Sequence, residues 1–267
     1  MKESLWNSIL SVRKNATLVH NITNFVVMNT TANALLAIGA SPIMAHAHKE
    51  VEDMVAICGA TIINIGTLDD YWVESMLRAA DKAHNLGKPW VLDPVGAGAT
   101  TYRDVTAAKL LEYKPTVIRG NASEIMALAK LSKASTKGVD SVHQSIEAID
   151  AAKWLNETVG SVVCISGATD VILSDNRKIL IHNGHSLMQQ VTGLGCTASA
   201  LTAAFAANED DKLLSTAAAM TLLGLAGELA QKISAGPGTL QLHILDKLYT
   251  ITEAEFYDNI KIEYQDA

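Results

Sequence analysis

The chain has 267 residues, of which 49% are apolar, and it carries a formal net charge of -7. This length and composition allow one large α/β domain with a substantial buried core. The scattered Lys and Arg residues form no basic stripe that could neutralise a phosphate backbone, which argues against a nucleic-acid-binding protein.

Cysteine usage and apolar runs indicate the compartment. Cys58, Cys164 and Cys196 are an odd number and have no CxxC spacing, which argues against disulfides or a thiolate metal site and for a reducing compartment. Residues 1–15 predict a charged amphipathic helix rather than a signal peptide, so we expect a cytoplasmic protein. The longest uncharged apolar stretch, Leu213–Gly227, is shorter than the roughly 20 residues that span a bilayer. We therefore predict a buried helix there and no membrane partner.

Short β-branched runs alternate with helical patterns in the first two thirds of the chain. The predicted strands are Thr61–Ile65, Trp90–Leu92, Thr116–Ile118 and Ser161–Ile165. Their continuous apolar character is typical of parallel strands that helices cover on both faces. The predicted helices between them run from Asp69 and Asp70 to the Gly87–Pro89 stop, and over Val105–Tyr113. This βαβα alternation predicts a mostly parallel sheet flanked by helices.

The last third of the chain predicts a hairpin followed by helices. The hairpin strands are Val171–Leu173 and Ile179–Ile181, joined by a turn at residues 174–176 and placed at the sheet edge. The helices are Thr197–Ala207, Lys212–Ile233 and, after a break at Gly236–Gly238, Leu240–Thr250. No linker or repeat divides the sequence, so we predict a single domain over residues 1–267.

Two predicted helical segments carry little charge on any face. They are Asn33–Ala40 and Ala217–Gly227. An apolar helix surface without charges is typical of a subunit contact, so we expect parts of these helices to meet another subunit.

Two glycines precede an alanine-rich helix at Gly193 and Gly195. Such a loop turns tightly and directs backbone N–H groups and the positive end of the helix toward one point, which favours an anion such as a transferred phosphoryl group. Cys196 falls in the first helical turn, where we expect a lowered thiol pKa and a reach toward a reacting hydroxyl. A glycine loop with a buried structural cysteine is an equally good interpretation of the spacing alone.

Three further loops follow predicted strands and should gather at one edge of the sheet. Asp93 ends a strand before a glycine-rich loop, which suits Mg²⁺ bound through water, although Asp-Pro also initiates ordinary turns. Arg119 offers a rigid fork for phosphate. Glu124 either caps the helix together with Asn121 or orders magnesium-bound waters. Ser166 either lines a nucleotide site or lies in a hairpin turn.

Together these residues resemble the hydroxyethylthiazole kinase family of the ribokinase-like superfamily. The matching segments are VHNITNFVVMNTTANALLAIGASPIMA from Val19 to Ala45, DPVGAGAT from Asp93 to Thr100, RGNASEI from Arg119 to Ile125, ISGATD from Ile165 to Asp170, GLGCTASA from Gly193 to Ala200, and GPGT from Gly236 to Thr239. The first and the fifth discriminate most, because most ribokinase-like kinases carry an aspartate base where this chain has Cys196. Ser166 departs from the threonine that is often found at its position, but it keeps a hydroxyl.

The resemblance implies a ribokinase-like three-layer α/β/α fold with a mostly parallel central sheet. It also implies ATP-dependent phosphorylation of 4-methyl-5-(2-hydroxyethyl)thiazole, a reaction of thiamine biosynthesis and salvage, and a homotrimer whose active sites lie at subunit interfaces. The implied residues are Cys196 as catalytic base, Asn24, Met44 and Gly193 for thiazole, Arg119, Ser166 and Gly195 for ATP, and Asp93 and Glu124 for Mg²⁺.

Rival functions remain open from the sequence. A ribokinase-like scaffold could phosphorylate hydroxymethylpyrimidine instead, although Cys196 and the VHNITN segment disfavour this. A catalytically idle binding protein would not need Asp93 and Glu124 together. An ATP-consuming lyase or dehydratase would release ADP without phosphorylated thiazole. His46 and His48 form an HxH pattern that could bind metal, but a loop entering a helix is the favoured interpretation.

Overall fold

A central β-sheet organises the computed structural model, which describes residues 1–136 and 148–266. In chain order its strands are β1 (Leu18–Ile22), β2 (Ser41–Ile43), β3 (Ala60–Asn64), β4 (Trp90–Asp93), β5 (Val117–Asn121), β6 (Val162–Ser166), β7 (Asp170–Ser174), β8 (Arg177–Ile181) and β9 (Ile262–Asp266). Across the sheet they lie in the order β2-β1-β3-β4-β5-β6-β7-β8-β9. The six from β2 to β6 pair in parallel, and β7, β8 and β9 pair antiparallel.

Helices cover both faces of this sheet. They are α1 (Lys2–Asn15), α2 (Met28–Ala37), α3 (Val51–Ile57), α4 (Asp70–Asn85), α5 (Thr101–Leu111), α6 (Ala122–Thr136), α7 (Ala148–Val159), α8 (Leu194–Ala206), α9 (Lys212–Gln231), α10 (Pro237–Thr250) and α11 (Glu253–Asn259), with a short 3₁₀ helix at Ser186–Gln190. One apolar core joins the sheet to α1, α2 and α8–α11. A second core joins the opposite face to α3–α7. The result is the predicted three-layer α/β/α arrangement.

The helix after β3 shows how the sequence specifies these layers. The Asp69 carboxylate accepts a hydrogen bond from the backbone N–H of Trp72 at 2.9 Å, which caps α4 as the paired acids predicted. Trp72, Met76 and Ala80 recur at helical spacing and are all buried in the second core. The apolar stripe thus fixes which side of α4 faces the sheet.

The predicted strands and helices are confirmed, with shifted ends that have local causes. Helix α5 begins at Thr101 rather than Val105 because the Thr100 hydroxyl accepts from the N–H of Arg103 and caps it. Helix α2 runs over residues 28–37 instead of 33–40, since the chain turns at Gly39 with φ of +90°. The predicted break before the last long helix is its start, because Pro237 occupies the first turn of α10.

Two predictions about the periphery of the sheet and helices are wrong. The β7–β8 hairpin forms but is not at the edge, because β9 pairs with β8 along five residues. The Ala217–Gly227 part of α9 does not face another subunit, because the chain's own helices and sheet bury every residue of it.

Helix α9 is long and apolar enough to cross a membrane. However, 89% of its most apolar 18-residue segment is buried inside the protein, as the prediction of a buried helix requires. The single-domain prediction spans residues 1–267, of which 137–147 and 267 lie outside the described residues.

Candidate active site

The carboxyl ends of neighbouring parallel strands assemble the site. Strands β3, β4, β5 and β6 are adjacent, and they end at Asn64, Asp93, Asn121 and Ser166 respectively. Ligands in open α/β sheets bind outside such strand ends. The predicted loops therefore emerge from the same edge of the sheet, and helix α8 packs on β3 and β4 beside them.

The start of α8 depends on Gly193. This residue has φ of +79°, a left-handed conformation that disfavours side chains, and a Cβ there would lie 2.4 Å from Cγ1 of Val27. A Cβ on Gly195 would likewise lie 2.8 Å from Nη1 of Arg119. Gly193 is thus required for the turn of the loop, whereas a side chain at Gly195 would have to displace the Arg119 guanidinium. Cys196 follows in the first turn of α8 as predicted.

Two buried side chains, Asn24 and Asn64, connect Cys196 to Asp93. The Asn24 amide donates from Nδ2 to the Cys196 sulfur at 3.3 Å and to Oδ1 of Asn64 at 2.9 Å. The Asn64 amide in turn donates from Nδ2 to Oδ2 of Asp93 at 2.6 Å. The Ser199 hydroxyl, one turn after Cys196, donates to the same Asp93 oxygen at 2.8 Å. A continuous polar network thus links the thiol to the acid at the end of β4.

The expectation of a lowered pKa at Cys196 is wrong. Burial raises the pKa of the Cys196 thiol, and the nearby Asp93 carboxylate raises it further. Hydrogen bonds from the Asn64 and Asn24 amides and the Arg119 charge act in the opposite direction but do not overcome burial. The first helical turn lowers a thiol pKa only when it is the dominant influence, and here desolvation and a neighbouring acid outweigh it.

Asp93 is a buried acid with one uncommitted oxygen. Its side chain is 1% exposed, and burial raises its pKa to about 6 despite the Arg119 charge and the Ser199 hydrogen bond. Both hydrogen bonds reach Oδ2, whereas Oδ1 is buried and has no partner among the described residues. A buried carboxylate oxygen without a donor is well suited to accept a hydrogen bond from a magnesium-bound water.

Glu124 acts as a helix cap and also contacts the glycine loop after β4. Its Oε2 accepts from the N–H of Asn121 at 2.9 Å, while Oδ1 of Asn121 accepts from the N–H of Glu124 at 3.0 Å. This reciprocal pair is the capping alternative that the sequence left open. Its Oε1 also accepts from the N–H of Gly96 at 3.0 Å, so the carboxylate joins β5 to the loop that Asp93 begins.

A cavity of about 600 Å³ opens beside the start of α8. Of the predicted site residues, Arg119, Ser166, Gly193 and Gly195 line it. The Ser166 hydroxyl donates to the carbonyl of Gly120 at 3.3 Å, and the following residues turn into β7, so this segment is both a hairpin turn and a cavity wall. Nε of Arg119 is buried without a partner in the part of the chain that the structure describes. The cavity walls further include residues of the 3₁₀ helix and of α9, among them Met188, Met220, Leu223 and Gly224.

Other sequence candidates lie outside this network. Met44 follows β2 and does not line the cavity. His46 and His48 stack on Trp72 and Tyr71, with ring centroids 4.4 and 3.7 Å apart, and α3 begins shortly after them. The HxH pattern lies in the loop that leads into α3, as we favoured.

The sequence did not identify Asn64 and Ser199 as site residues. Asn64 ends a run of apolar residues, and a polar residue at the carboxyl end of a parallel strand was the available signal. Ser199 lies one helical turn after Gly195, on a helix whose other residues are mostly apolar. Only the packing of α8 on β3 and β4 brings both side chains to Asp93.

Known proteins of one family match the chain along its length. The model of the hydroxyethylthiazole kinase family matches residues 9–254. A hydroxyethylthiazole kinase of Syntrophus aciditrophicus is 56% identical over 261 residues, covering 97% of each chain. The solved structure of the hydroxyethylthiazole kinase protein from Pyrococcus horikoshii OT3 has a TM-score of 0.88 and 41% identity, and covers 99% of this chain and 100% of that chain.

A more distant structure agrees on the fold. A ribokinase-like superfamily protein from Enterococcus faecalis V583 has a TM-score of 0.65 at 13% identity, with 88% of each chain covered. This likeness, together with the parallel sheet between two helical layers, confirms the ribokinase-like architecture. The polar network around Cys196 and the extent of the family match lead to one assignment: the chain is a kinase that belongs to the hydroxyethylthiazole kinase family.

Proposed function

We propose that this protein transfers the γ-phosphoryl group of ATP to the side-chain hydroxyl of 4-methyl-5-(2-hydroxyethyl)thiazole, in thiamine biosynthesis and salvage. The observation that carries the proposal is the position of Cys196. Its sulfur lies 3.3 Å from the Asn24 amide, in the first turn of a helix whose preceding glycine loop lines the cavity. A proton acceptor beside an anion-binding helix start is what alcohol phosphorylation requires.

The two substrates would approach from opposite sides of the glycine loop. ATP would occupy the cavity, where Arg119 and Ser166 lie on one wall and the backbone at Gly195 on another. Thiazole would lie near Asn24 and Gly193, with Met44 completing its site. This arrangement would set the thiazole hydroxyl between the Cys196 sulfur and the γ-phosphorus.

Each residue then has a defined chemical task. Cys196, as thiolate, accepts the hydroxyl proton as the substrate oxygen attacks phosphorus. The backbone N–H groups at the start of α8 and the Arg119 guanidinium stabilise charge on the phosphoryl oxygens. The thiol must first lose its own proton to act as a base, and its raised pKa makes this loss harder.

Magnesium is the cofactor that this acid network suits. Asp93 would hold it through water at its uncommitted Oδ1, and Glu124 would order further waters from the neighbouring loop. When bound, Mg²⁺ supplies positive charge to the phosphate oxygens of ATP. It would also offset the neighbouring Asp93 charge, which is one cause of the raised Cys196 pKa.

We further propose that the protein is a cytoplasmic homotrimer of single-domain subunits, with active sites between subunits. Phe25 and Val26 directly follow Asn24 and are 61% and 63% exposed. Leu36 on α2 is also exposed. Apolar side chains left open beside a predicted substrate residue are suited to cover by a neighbouring subunit.

A coupled assay of ADP release tests the catalytic proposal. It contains ATP, Mg²⁺ and hydroxyethylthiazole, with hydroxymethylpyrimidine and a no-acceptor reaction run in parallel. We expect ADP only with thiazole, and a product heavier by one phosphoryl group. ADP formed only with the pyrimidine would refute the substrate, and no ADP with either acceptor would refute the activity.

A further inference from the structure

Asn64, the last residue of β3, joins the Asn24 end of the polar network to the Asp93 end. It is fully buried, and its Oδ1 accepts from Nδ2 of Asn24 and from the backbone N–H of Gly66, each at 2.9 Å. Its Nδ2 donates to Oδ2 of Asp93 at 2.6 Å. One amide therefore touches a predicted thiazole residue on one side and a predicted metal residue on the other.

The neighbours of Asn64 permit only one orientation of its amide. The N–H of Gly66 can only donate, so it requires the amide oxygen at that end. The Asp93 carboxylate, when ionised, can only accept, so it requires the amide NH₂ group at the other end. In a reversed amide the NH₂ group would face the N–H of Gly66, and the oxygen would face the Asp93 carboxylate. Donor against donor and acceptor against acceptor carry a high energetic cost in a buried site.

This fixed orientation is passed on to Asn24. Because Asn64 presents an oxygen, Asn24 must present its own NH₂ group, and that group also reaches the Cys196 sulfur. The oxygen of Asn24 accepts from the N–H of Val26 at 3.1 Å, which agrees with the same orientation. The hydrogen bond to Asn64 thus holds the NH₂ group of Asn24 beside the thiol.

We propose that Asn64 is a positioning residue for phosphoryl transfer, which orients the Asn24 amide toward the Cys196 sulfur and holds Oδ2 of Asp93 so that Oδ1 stays free. Asn64 acts through its side-chain contacts with Asn24, Asp93 and Cys196. The inference rests on the proposed function, because it assigns a task to Asn64 within that reaction.

The matched control is Asn156, a second buried asparagine. Its amide donates to the carbonyl of Ser161 and accepts from the N–H of Asp175, both at 2.9 Å. It lies on α7, and its two partners lie just before β6 and just after β7. Neither partner is a predicted site residue. Asn156→Ala should therefore lower the melting temperature and leave kcat per folded protein unchanged.

A double-mutant cycle on the full-length protein tests the proposal. We expect Asn64→Ala and Asn24→Ala each to lower kcat by about 10- to 100-fold, as a loss of positioning does. The Kd for ATP, measured by calorimetry, should change less than about twofold, because the cavity walls do not include Asn64. The double variant should be no slower than the slower single variant, since both changes remove the same arrangement.

Two results would overturn the proposal. One is an Asn64→Ala protein that, like the Asn156→Ala control, loses stability but keeps its kcat. The other is a double variant whose loss is the product of the two single losses. If Asn64→Ala does not fold, Asn64→Thr takes its place in the cycle, because a β-branched residue suits the strand and a hydroxyl can satisfy one neighbour but not both. Wild-type protein that forms no ADP with thiazole would instead refute the proposed function.

Discussion

Cys196 and Asp93 show how burial shapes the chemistry of single residues in this site. Burial is the largest cause of the raised pKa at both positions, and a neighbouring carboxylate adds to it, Asp93 for Cys196 and Glu124 for Asp93. A thiol and a carboxyl that are both harder to ionise than in water lower the amount of negative charge that the empty site must hold. Positive charge from a bound Mg²⁺ would favour the ionised forms of both groups.

Replacement of Cys196 tests its role as the base. We expect Cys196→Ala to keep its fold and its ATP affinity but to lose about 10² to 10⁴ in kcat, the usual contribution of a positioned base. Cys196→Asp should remain active or gain activity, because a carboxylate ionises well below the raised pKa of the thiol.

The pH dependence separates these two bases. The wild-type kcat should rise with pH as the thiol loses its proton, whereas Cys196→Asp should already be active at lower pH. The kcat of Cys196→Asp divided by the kcat of wild type is therefore expected to fall from pH 6 to pH 9 in a steady-state profile. A folded Cys196→Asp protein with no activity at any pH would contradict the role of Cys196 as a general base.

Asp93 is expected to lower stability at neutral pH while it serves the reaction. Its pKa is raised from 3.8 to about 6, so between these values the folded protein binds more protons than the unfolded chain and stability falls as pH rises. Each pKa unit corresponds to about 1.4 kcal/mol, which gives a cost on the order of 3 kcal/mol above pH 6. Asp93→Asn removes this charge. It should therefore raise the free energy of unfolding at pH 7.5, change it little at pH 4, and abolish turnover.

Urea unfolding at both pH values measures this effect, and Asp211→Asn is its control. Burial alone would raise the pKa of Asp211, but the Arg177 guanidinium and the N–H groups of Leu214 and Leu213 together lower it. Its removal should destabilise the protein at pH 7.5. A loss of stability in Asp93→Asn at pH 7.5 would show that the charged form of Asp93 is not the costly one.

Among the elements, those with a strong local signal were predictable from the sequence. Short local patterns predict α4 and β4. They are the Asp69 cap and apolar stripe of α4, and the apolar run of β4 before Asp93. Strand β9 was missed because its residues are mostly polar and only pairing with β8 makes them a strand. Asn64 was missed for a similar reason, since its task exists only after α8 packs on the sheet and the ends of β3 and β4 lie side by side.

At the level of loops, Arg103 on α5 joins the ends of β3 and β4. Its Nη1 donates to the carbonyls of Ile65 and Val95 at 2.5 and 2.7 Å, and its Nη2 donates to the carbonyl of Gly66 at 2.9 Å. These bonds hold the segment that follows Asn64 against the segment that follows Asp93. The two loops thus depend on one guanidinium for their relative position.

Arg103→Met should therefore loosen both loops while keeping the apolar stem of the side chain. We expect faster amide hydrogen exchange over residues 65–66 and 95–99 and a kcat lowered by about 10-fold or more, because the acid and the amide network lose their fixed spacing. The control is Arg78→Met, which removes an exposed ion pair with Glu74 one helical turn away. Unchanged exchange in these loops of Arg103→Met would remove Arg103 from this task.

The described part of the molecule has two apolar cores, and apolar side chains beside Asn24 remain exposed on the predicted substrate side of the site. Asn24 and Cys196 meet within one chain, whereas Met44 lies after the edge strand β2. The exposed Phe25 and Val26 lie in the loop between β1 and α2. If the active sites lie between subunits, as the family resemblance implies, Met44 and Cys196 of one site are expected to come from different subunits.

Complementation between two inactive variants tests this assembly. One variant is Cys196→Ala, and the other is Met44→Asp, which places a charge where apolar contact with thiazole is expected. If each site takes Met44 and Cys196 from different subunits, a mixed trimer contains some sites in which both are intact. Each mixed trimer then has one site of its three in which both residues are intact, so protein that carries both tags should regain about a third of the wild-type activity. If both come from the same chain, every site keeps one defect and co-expression restores nothing. Co-expressed, doubly tagged protein, purified through both tags and sized by light scattering, distinguishes these outcomes, and a monomer in solution would exclude the shared site.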